Sequence, residues 1–178
     1  MATITSSFWR DANRVPITVD GITTTDSQTL TANNTTAVVP IFGFTGVVEV
    51  RALWGVVTTD LGANHTASAF RINDQTAQVY LTAVGGTTIS AAKAGSLIVK
   101  TGLVATAVTY KSAAAGYIQE PTTLQTLDMT PVIIGSKTAL TTGTIEYRYT
   151  TTDAPTSGAI TFFIRWLPMS AAAGVTSL

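Results

Sequence analysis

The chain has 178 residues, ten basic against ten acidic, and is 46% apolar but only 11% charged. Its length suits a single domain able to hide roughly 70% of the surface its unfolded form exposes, and so little charge beside so much apolar content excludes disorder. The basic residues are scattered and form no stripe for phosphates, and no run approaches the roughly 20 apolar residues of a membrane-spanning helix, so neither nucleic acid nor membrane is an expected partner.

Ordinary monomers resist association with a well-charged surface and a net charge away from zero. This chain offers 35 threonines and 24 alanines against three glutamates and four lysines, and its charges cancel. Such a surface has weak electrostatic protection against sticking and suits a protein that buries much of itself against copies or a partner. The alternative is a Thr-rich soluble β-domain with no such partner. Cysteine is absent, so no disulfide framework and no thiolate metal site arise. Met1 to Arg10 lack a basic start followed by an apolar run and do not read as a secretory signal.

Taken in chain order, the pattern is one of strands. Residues 1–14 form an expected N-terminal arm, 15–170 a β-sandwich domain and 171–178 a C-terminal tail. Val15 to Val19 and Ile22 to Thr25 flank Asp20-Gly21, a strong signal for a two-residue hairpin turn. Pro16 cannot donate to a ladder, which places this hairpin at an edge. Ala37 to Phe42 is a second strand, interrupted by Pro40. Gly46 to Thr58 is the best core strand, with Val48, Val50, Ala52, Trp54 and Val56 in one row and Glu49 and Arg51 in the other, so Trp54 is expected in the interior. Ala67 to Ile72, a turn at Asn73-Asp74 and Ala77 to Leu81 make another hairpin.

Shorter strands follow at Thr87 to Ser90, Ser96 to Lys100, Leu103 to Tyr110 and Pro131 to Ile134, with one helical turn possible over Ala91 to Ala94. Thr122 to Thr130 reads as a brief helix or a loop covering the core. Thr144 to Thr150 alternates with Ile145, Tyr147 and Tyr149 on one side. Ile160 to Leu167 alternates with Ile160, Phe162, Ile164 and Trp166. A turn-rich loop between them gives an expected closing hairpin, with Glu146 facing Arg165 across it. The sum is about nine or ten strands without a repeat of fixed period, which predicts an all-β antiparallel sandwich, jelly-roll-like, behind the N-terminal arm.

Catalytic chemistry finds little footing. The lone histidine, His65, shares the stretch Asp60 to Ser68 with an aspartate and a serine, but triad members usually come from separate elements held by a scaffold. His65 is therefore expected to be an exposed or loop-stabilising residue. No Cys/His spacing for zinc, no acidic calcium loop and no phosphate-binding glycine motif is present. Glu49 and Glu146 lie in strands beside arginines, so ion pairing accounts for them better than glycoside hydrolysis does. The expectation is no enzyme, no cofactor and no metal. Phe8 and Trp9 precede Arg10 and Arg14 in a charged stretch without periodicity. These residues either fold back over the domain's own core or anchor in a neighbouring subunit or partner, where aromatics and Arg are typical hot spots. On the second reading Phe8, Trp9, Arg10 and Arg14 are the docking residues.

Several stretches carry a resemblance. Arg10-Asp11-Ala12-Asn13-Arg14-Val15-Pro16-Ile17 resembles an opening found on small virion structural proteins of tailed bacteriophages. Arg51 to Thr59, Asn73 to Ala77 and Ile164 to Ser170 are similar to segments of such Thr/Ala-rich proteins. The resemblance implies a particle component made in the host cytoplasm and carried in the virion. Capsid decoration or head fibre comes first, with a tail or baseplate piece as alternative. It also implies a homotrimer docking on the major capsid protein or other virion proteins. A carbohydrate-binding module, using Trp9, Tyr80, Tyr117 or Tyr147 as stacking platforms, is the reading from a different class, and a hydrolase using unpaired carboxylates a third.

Overall fold

Threonine, valine and isoleucine are stiff at χ1 and pack well on a pleated surface, and in the computed structural model no described residue is helical. The structure describes residues 21–30, 35–62, 65–74, 78–84, 87–89, 92–102, 105–111, 131–135, 143–151 and 158–178. Twelve strands lie among them: β1 (Ile22–Thr29), β2 (Thr36–Thr45), β3 (Val47–Thr59), β4 (His65–Asn73), β5 (Gln78–Tyr80), β6 (Thr87–Ile89), β7 (Leu97–Val99), β8 (Thr109–Lys111), β9 (Val132–Gly135), β10 (Gly143–Thr151), β11 (Ala159–Pro168) and β12 (Gly174–Ser177). The predicted arm, residues 1–14, and the first strand of the Asp20-Gly21 hairpin lie outside the described residues, as does the predicted helix or loop at 122–130.

The strands form two antiparallel sheets packed face to face, β1-β11-β3-β7-β8 with β9 beside β3, and β12-β2-β10-β4-β5 with β6 beside β4. The pairs β1–β11, β2–β10, β3–β7 and β4–β5 nest like the rungs of one long hairpin, and alternate rungs fall in opposite sheets. That is a jelly roll. The predicted all-β sandwich is the observed fold.

The rolling corrects one expectation. β10 and β11 are consecutive but do not pair: β10 lies between β2 and β4, β11 between β1 and β3. Their apolar rows face each other across the sandwich instead of lying side by side, with the Tyr147 and Phe162 ring centroids 5.1 Å apart. Glu146 and Arg165 consequently belong to different sheets. The expected hairpin at β4 and β5 is present, with Arg71 opposite Tyr80 and Asn73 opposite Gln78.

A second correction concerns Trp54. β3 alternates from Val48 to Ala52, then its phase flips: Ala52 and Leu53 are both buried, and Gly55 and Val57 follow inward. The pairing with β11 explains this. Arg165 faces Ala52 while Trp166 faces Val50, so Arg51 is the extra residue of a β-bulge, and a bulge reverses which side chains point to the core. Trp54 therefore sits half-buried on the outer face, stacked on Phe163 with centroids 5.1 Å apart and planes 5° from parallel. Gly55 takes the inward place next to it, where a Cβ would lie 2.8 Å from Ile160 Cγ2.

A further bulge, a corner and a last strand complete the scaffold. In β2, Ile145 faces Phe42 while Glu146 faces Pro40, so Ile41 is extra, and Pro40, which has no donor to give, stands next to that bulge, a place where strands tolerate proline. Between β2 and β3 the chain changes sheets at Gly46, whose φ of 63° suits glycine and whose added Cβ would lie 2.6 Å from Ser170 Oγ. Residues 171–178, expected as a tail, instead supply β12, which pairs Gly174 to Ser177 with Thr45 to Phe42 and buries Val175.

Candidate functional site

The histidine, aspartate and serine of the Asp60 to Ser68 stretch do not converge. Asp60 ends beyond β3, accepts 2.8 Å hydrogen bonds from Lys93 Nζ and the Ala94 amide, and is held below the usual carboxylate range chiefly by the Lys93 bond. Ser68 Oγ accepts a 3.1 Å bond from the Tyr147 hydroxyl. His65 is hydrogen-bonded to neither. It is also not the exposed or loop-stabilising residue expected from the sequence: it opens β4, is 1% exposed, and stacks on Tyr149 with centroids 4.6 Å apart. Its Nδ1 is buried without a hydrogen-bond partner, and desolvation pushes its pKa down to about 4. A neutral ring packed on tyrosine explains the burial, since charging it there would cost far more than in water.

The strand glutamates do form ion pairs. Glu49 accepts from Arg51 Nε at 3.1 Å. Glu146 takes a fuller set of donors, Arg71 Nε at 2.6 Å, Asn73 Nδ2 at 3.1 Å and Thr144 Oγ1 at 3.2 Å, while Arg71 Nη1 donates to Gln78 Oε1 at 2.8 Å. The register puts Pro40, Glu146, Arg71 and Tyr80 in one row across the outer face of their sheet. With side chains only 11% and 8% exposed, Arg71 and Glu146 are a buried pair. Removing one member leaves the other charge uncompensated, so Glu146→Ala is expected to cost about 2–4 kcal/mol in urea unfolding, and Glu146→Gln, which keeps the neighbouring hydrogen bonds, distinctly less.

The proposed aromatic platforms separate. Tyr147 lies wholly in the core, its hydroxyl used by Ser68, and burial drives its pKa upward. It is not a platform. Tyr80 stays half-buried at the end of the Glu146 row. Trp9 and Tyr117 lie outside the described residues, and so do the predicted docking residues Phe8, Trp9, Arg10 and Arg14. Among the described residues no group of three His, Cys, Asp or Glu side chains gathers as a metal site would need.

Two apolar surfaces were not foreseen. On the outer face of the β1-β11-β3 sheet, half-buried Trp54 and Phe163 form one cross-strand pair beside the buried Val99, and half-buried Leu97 and Val56 begin the next row. At one end of the sandwich, a pocket of about 250 Å³ opens between β5 and β9, lined by Ile72, Val79, Leu81, Val132, Ile133 and Ile134 with Asp74 in its wall. Neither surface has a local sequence motif, because each is assembled from strands far apart in the chain. Lys100 was also passed over: fully buried after β7, it donates from Nζ to the Gly102 carbonyl at 3.0 Å, and desolvation lowers its pKa.

No family model, curated protein or solved structure matches the chain. The class is therefore set by architecture, a twelve-stranded jelly-roll sandwich among the described residues.

Proposed function

We propose that this chain is a non-enzymatic structural protein of a phage particle, a capsid-decorating jelly roll that self-associates as a trimer and docks on the major capsid shell. The observation that carries the self-association is the half-buried outer pair of Trp54 and Phe163 on a molecule whose charges cancel. An aromatic row on a sheet face is a common interface core, and the neutral surface around it does little to repel a second copy. The phage context rests on the resemblance at Arg10 to Ile17 and its companion segments. The jelly roll adds an analogy at the level of fold, since viral capsid proteins use it, but so do lectins and cupins.

Light scattering on the purified full chain is expected to give the mass of three chains, and cosedimentation with shells lacking the protein is expected to recover it with the shell. Trp54→Lys is expected to lower the assembled mass while leaving the circular dichroism of the sandwich unchanged. A wild-type chain that stays monomeric and ignores the shell rules the reading out.

The second reading, an adhesive glycan-binding module, draws on the row of Glu146, Arg71 and Tyr80 beside Gln78, which sets a ring next to planar polar groups. Binding on a glycan array that Tyr80→Ala abolishes, without shell affinity, decides for it.

A further inference from the structure

We propose that the start of β4 and the short strand β6 form an acid-sensitive latch, which opens when the His65 ring takes up a proton while the rest of both sheets stays folded. Self-association plays no part in it. His65 opens β4, is 1% exposed, packs on Tyr149 and has no hydrogen-bond partner for Nδ1. A charged imidazole needs water or a counter-charge, so protonation drives the ring out of such a place.

Among the described residues its neighbours supply no counter-charge. On β10, Tyr149 lies against the ring with Tyr147 beyond it. Arg148 donates from Nη1 to the Ala67 carbonyl at 3.4 Å, and Glu146 is taken by Arg71. β6 carries Thr87, Thr88 and Ile89, none of them ionisable. Before β4, Asp60 is half-exposed and bound to Lys93. Across the sandwich, no buried residue of β3 or β11 is ionisable, and the ionisable residues of the β7–β8 hairpin, Lys100, Tyr110 and Lys111, include no carboxylate.

β4 is jointed where such an opening stops. In its ladder with β10, Arg148 faces Ala69 and Thr150 faces Thr66; in its ladder with β6, Ser68 faces Thr87 and His65 faces Ile89. Each interval gives β4 one residue more than its partner, and both contain Ala67, a non-glycine residue with a φ of 52°. Interruptions of both ladders thus coincide with a strained backbone, which makes a joint of this point. Beyond it β4 is tied down: Ser68 Oγ accepts from the Tyr147 hydroxyl, and the Phe70 amide donates to Thr82 Oγ1 at 2.9 Å. β6 is three residues long and pairs with β4 alone among the described residues. A short strand on a jointed support opens more readily than the whole sandwich unfolds. Its release bares Ile89, which is fully buried when the latch is closed.

Amide hydrogen exchange of the full-length protein at pH 7 and pH 4.5, corrected for the intrinsic effect of pH on exchange, tests the latch. A ring that binds its proton near pH 4 when closed and near pH 6.5 when open makes opening about 50-fold more frequent at the lower pH. The amides of residues 65–66 and 87–89 are expected to lose that factor of protection. They are also expected to be at least about 10-fold less protected than those of Tyr147 and Phe162 at both pH values, and to respond far less to 1 M urea, because a local opening exposes little surface. Equal protection and equal urea response in latch and core mean that His65 reaches water only by global unfolding, and overturn the latch. Protection at 65–66 and 87–89 that does not change with pH overturns it too. His65→Phe is expected to abolish the acid response of these amides, and its persistence in that variant has the same consequence. Should the variant fail to fold, the comparison of latch and core in the wild type still decides.

Discussion

Acidification from pH 7 to pH 4 is expected to remove about 3 kcal/mol from the stability of the sandwich through one residue, His65. The buried ring binds a proton only near pH 4, whereas in the unfolded chain it does so near pH 6.5. Between those values the unfolded state gains a proton that the folded state refuses. Stability is therefore whole above about pH 6.5, falls as the pH drops, and loses nothing further from this group below about pH 4. Tyr149 stacks on the ring from β10, and Tyr147 beyond is pushed further from titration. Asp60, the nearest carboxylate in sequence, is held low by Lys93 and so titrates beneath the window. Urea unfolding at pH 7, 6, 5 and 4, at one fixed protein concentration, measures the slope. His65→Phe keeps a ring on Tyr149 and is expected to flatten it. An unaltered slope in that variant, or a histidine that titrates near 6.5 by NMR in the folded protein, refutes the assignment.

How much of this was readable beforehand depends on how far apart the cooperating residues stand. The rows Ile145, Tyr147, Tyr149 and Ile160, Phe162, Ile164, Trp166 were legible because period-two alternation is a property of a single strand, and all seven are buried. Their partners were not, because a loop rich in turn formers serves a hairpin and a change of sheet equally well. Only the closing of the roll, through β11 on β3 and β10 on β4, decides between them. Trp54 was misplaced for a local reason. A bulge at Arg51 leaves two adjacent apolar residues, Ala52 and Leu53, both buried. That doublet was the visible sign, but an unbroken alternation ending in a tryptophan outweighed it.

The same distance governs the polar groups. Glu146 meets Arg71 seventy-five positions away, so pairing with some arginine was predictable while its identity was not. His65 looked like a loop residue because Asn64 and Thr66 flank it, yet β4 begins at that residue and its ring faces the core. The pocket draws its wall from Ile72, Asp74, Val79 and Leu81 and from residues 132–135, which no reading of neighbouring positions brings together. Val175 was too little to announce β12. Four residues with one buried side chain do not establish a period, and the strand exists because Phe42 to Thr45 offers an edge to pair with.

The two adjacent phenylalanines of β11 test both the phase of that strand and the division of labour between its faces. Phe162 is fully buried where the sheets meet, its ring 5.1 Å from that of Tyr147 and 6.1 Å from that of Phe70, both on the opposite sheet. Phe162→Ala opens a cavity that Gly55 beside it has no side chain to fill, so the expected cost is about 3–5 kcal/mol. Phe163 points the other way and stacks on Trp54. Phe163→Ala forfeits that stack and some half-exposed area, about 1–2 kcal/mol. Urea unfolding of the two variants at matched concentration measures the gap, and equal costs contradict the observed alternation. Association is expected to rank them in reverse. Phe163→Ala, by stripping the outer row, weakens self-association while the sandwich stays folded. Phe162→Ala, examined well below its unfolding midpoint, leaves the outer face and its copies in place. A chain whose association follows Phe162 and ignores Phe163 does not use that face.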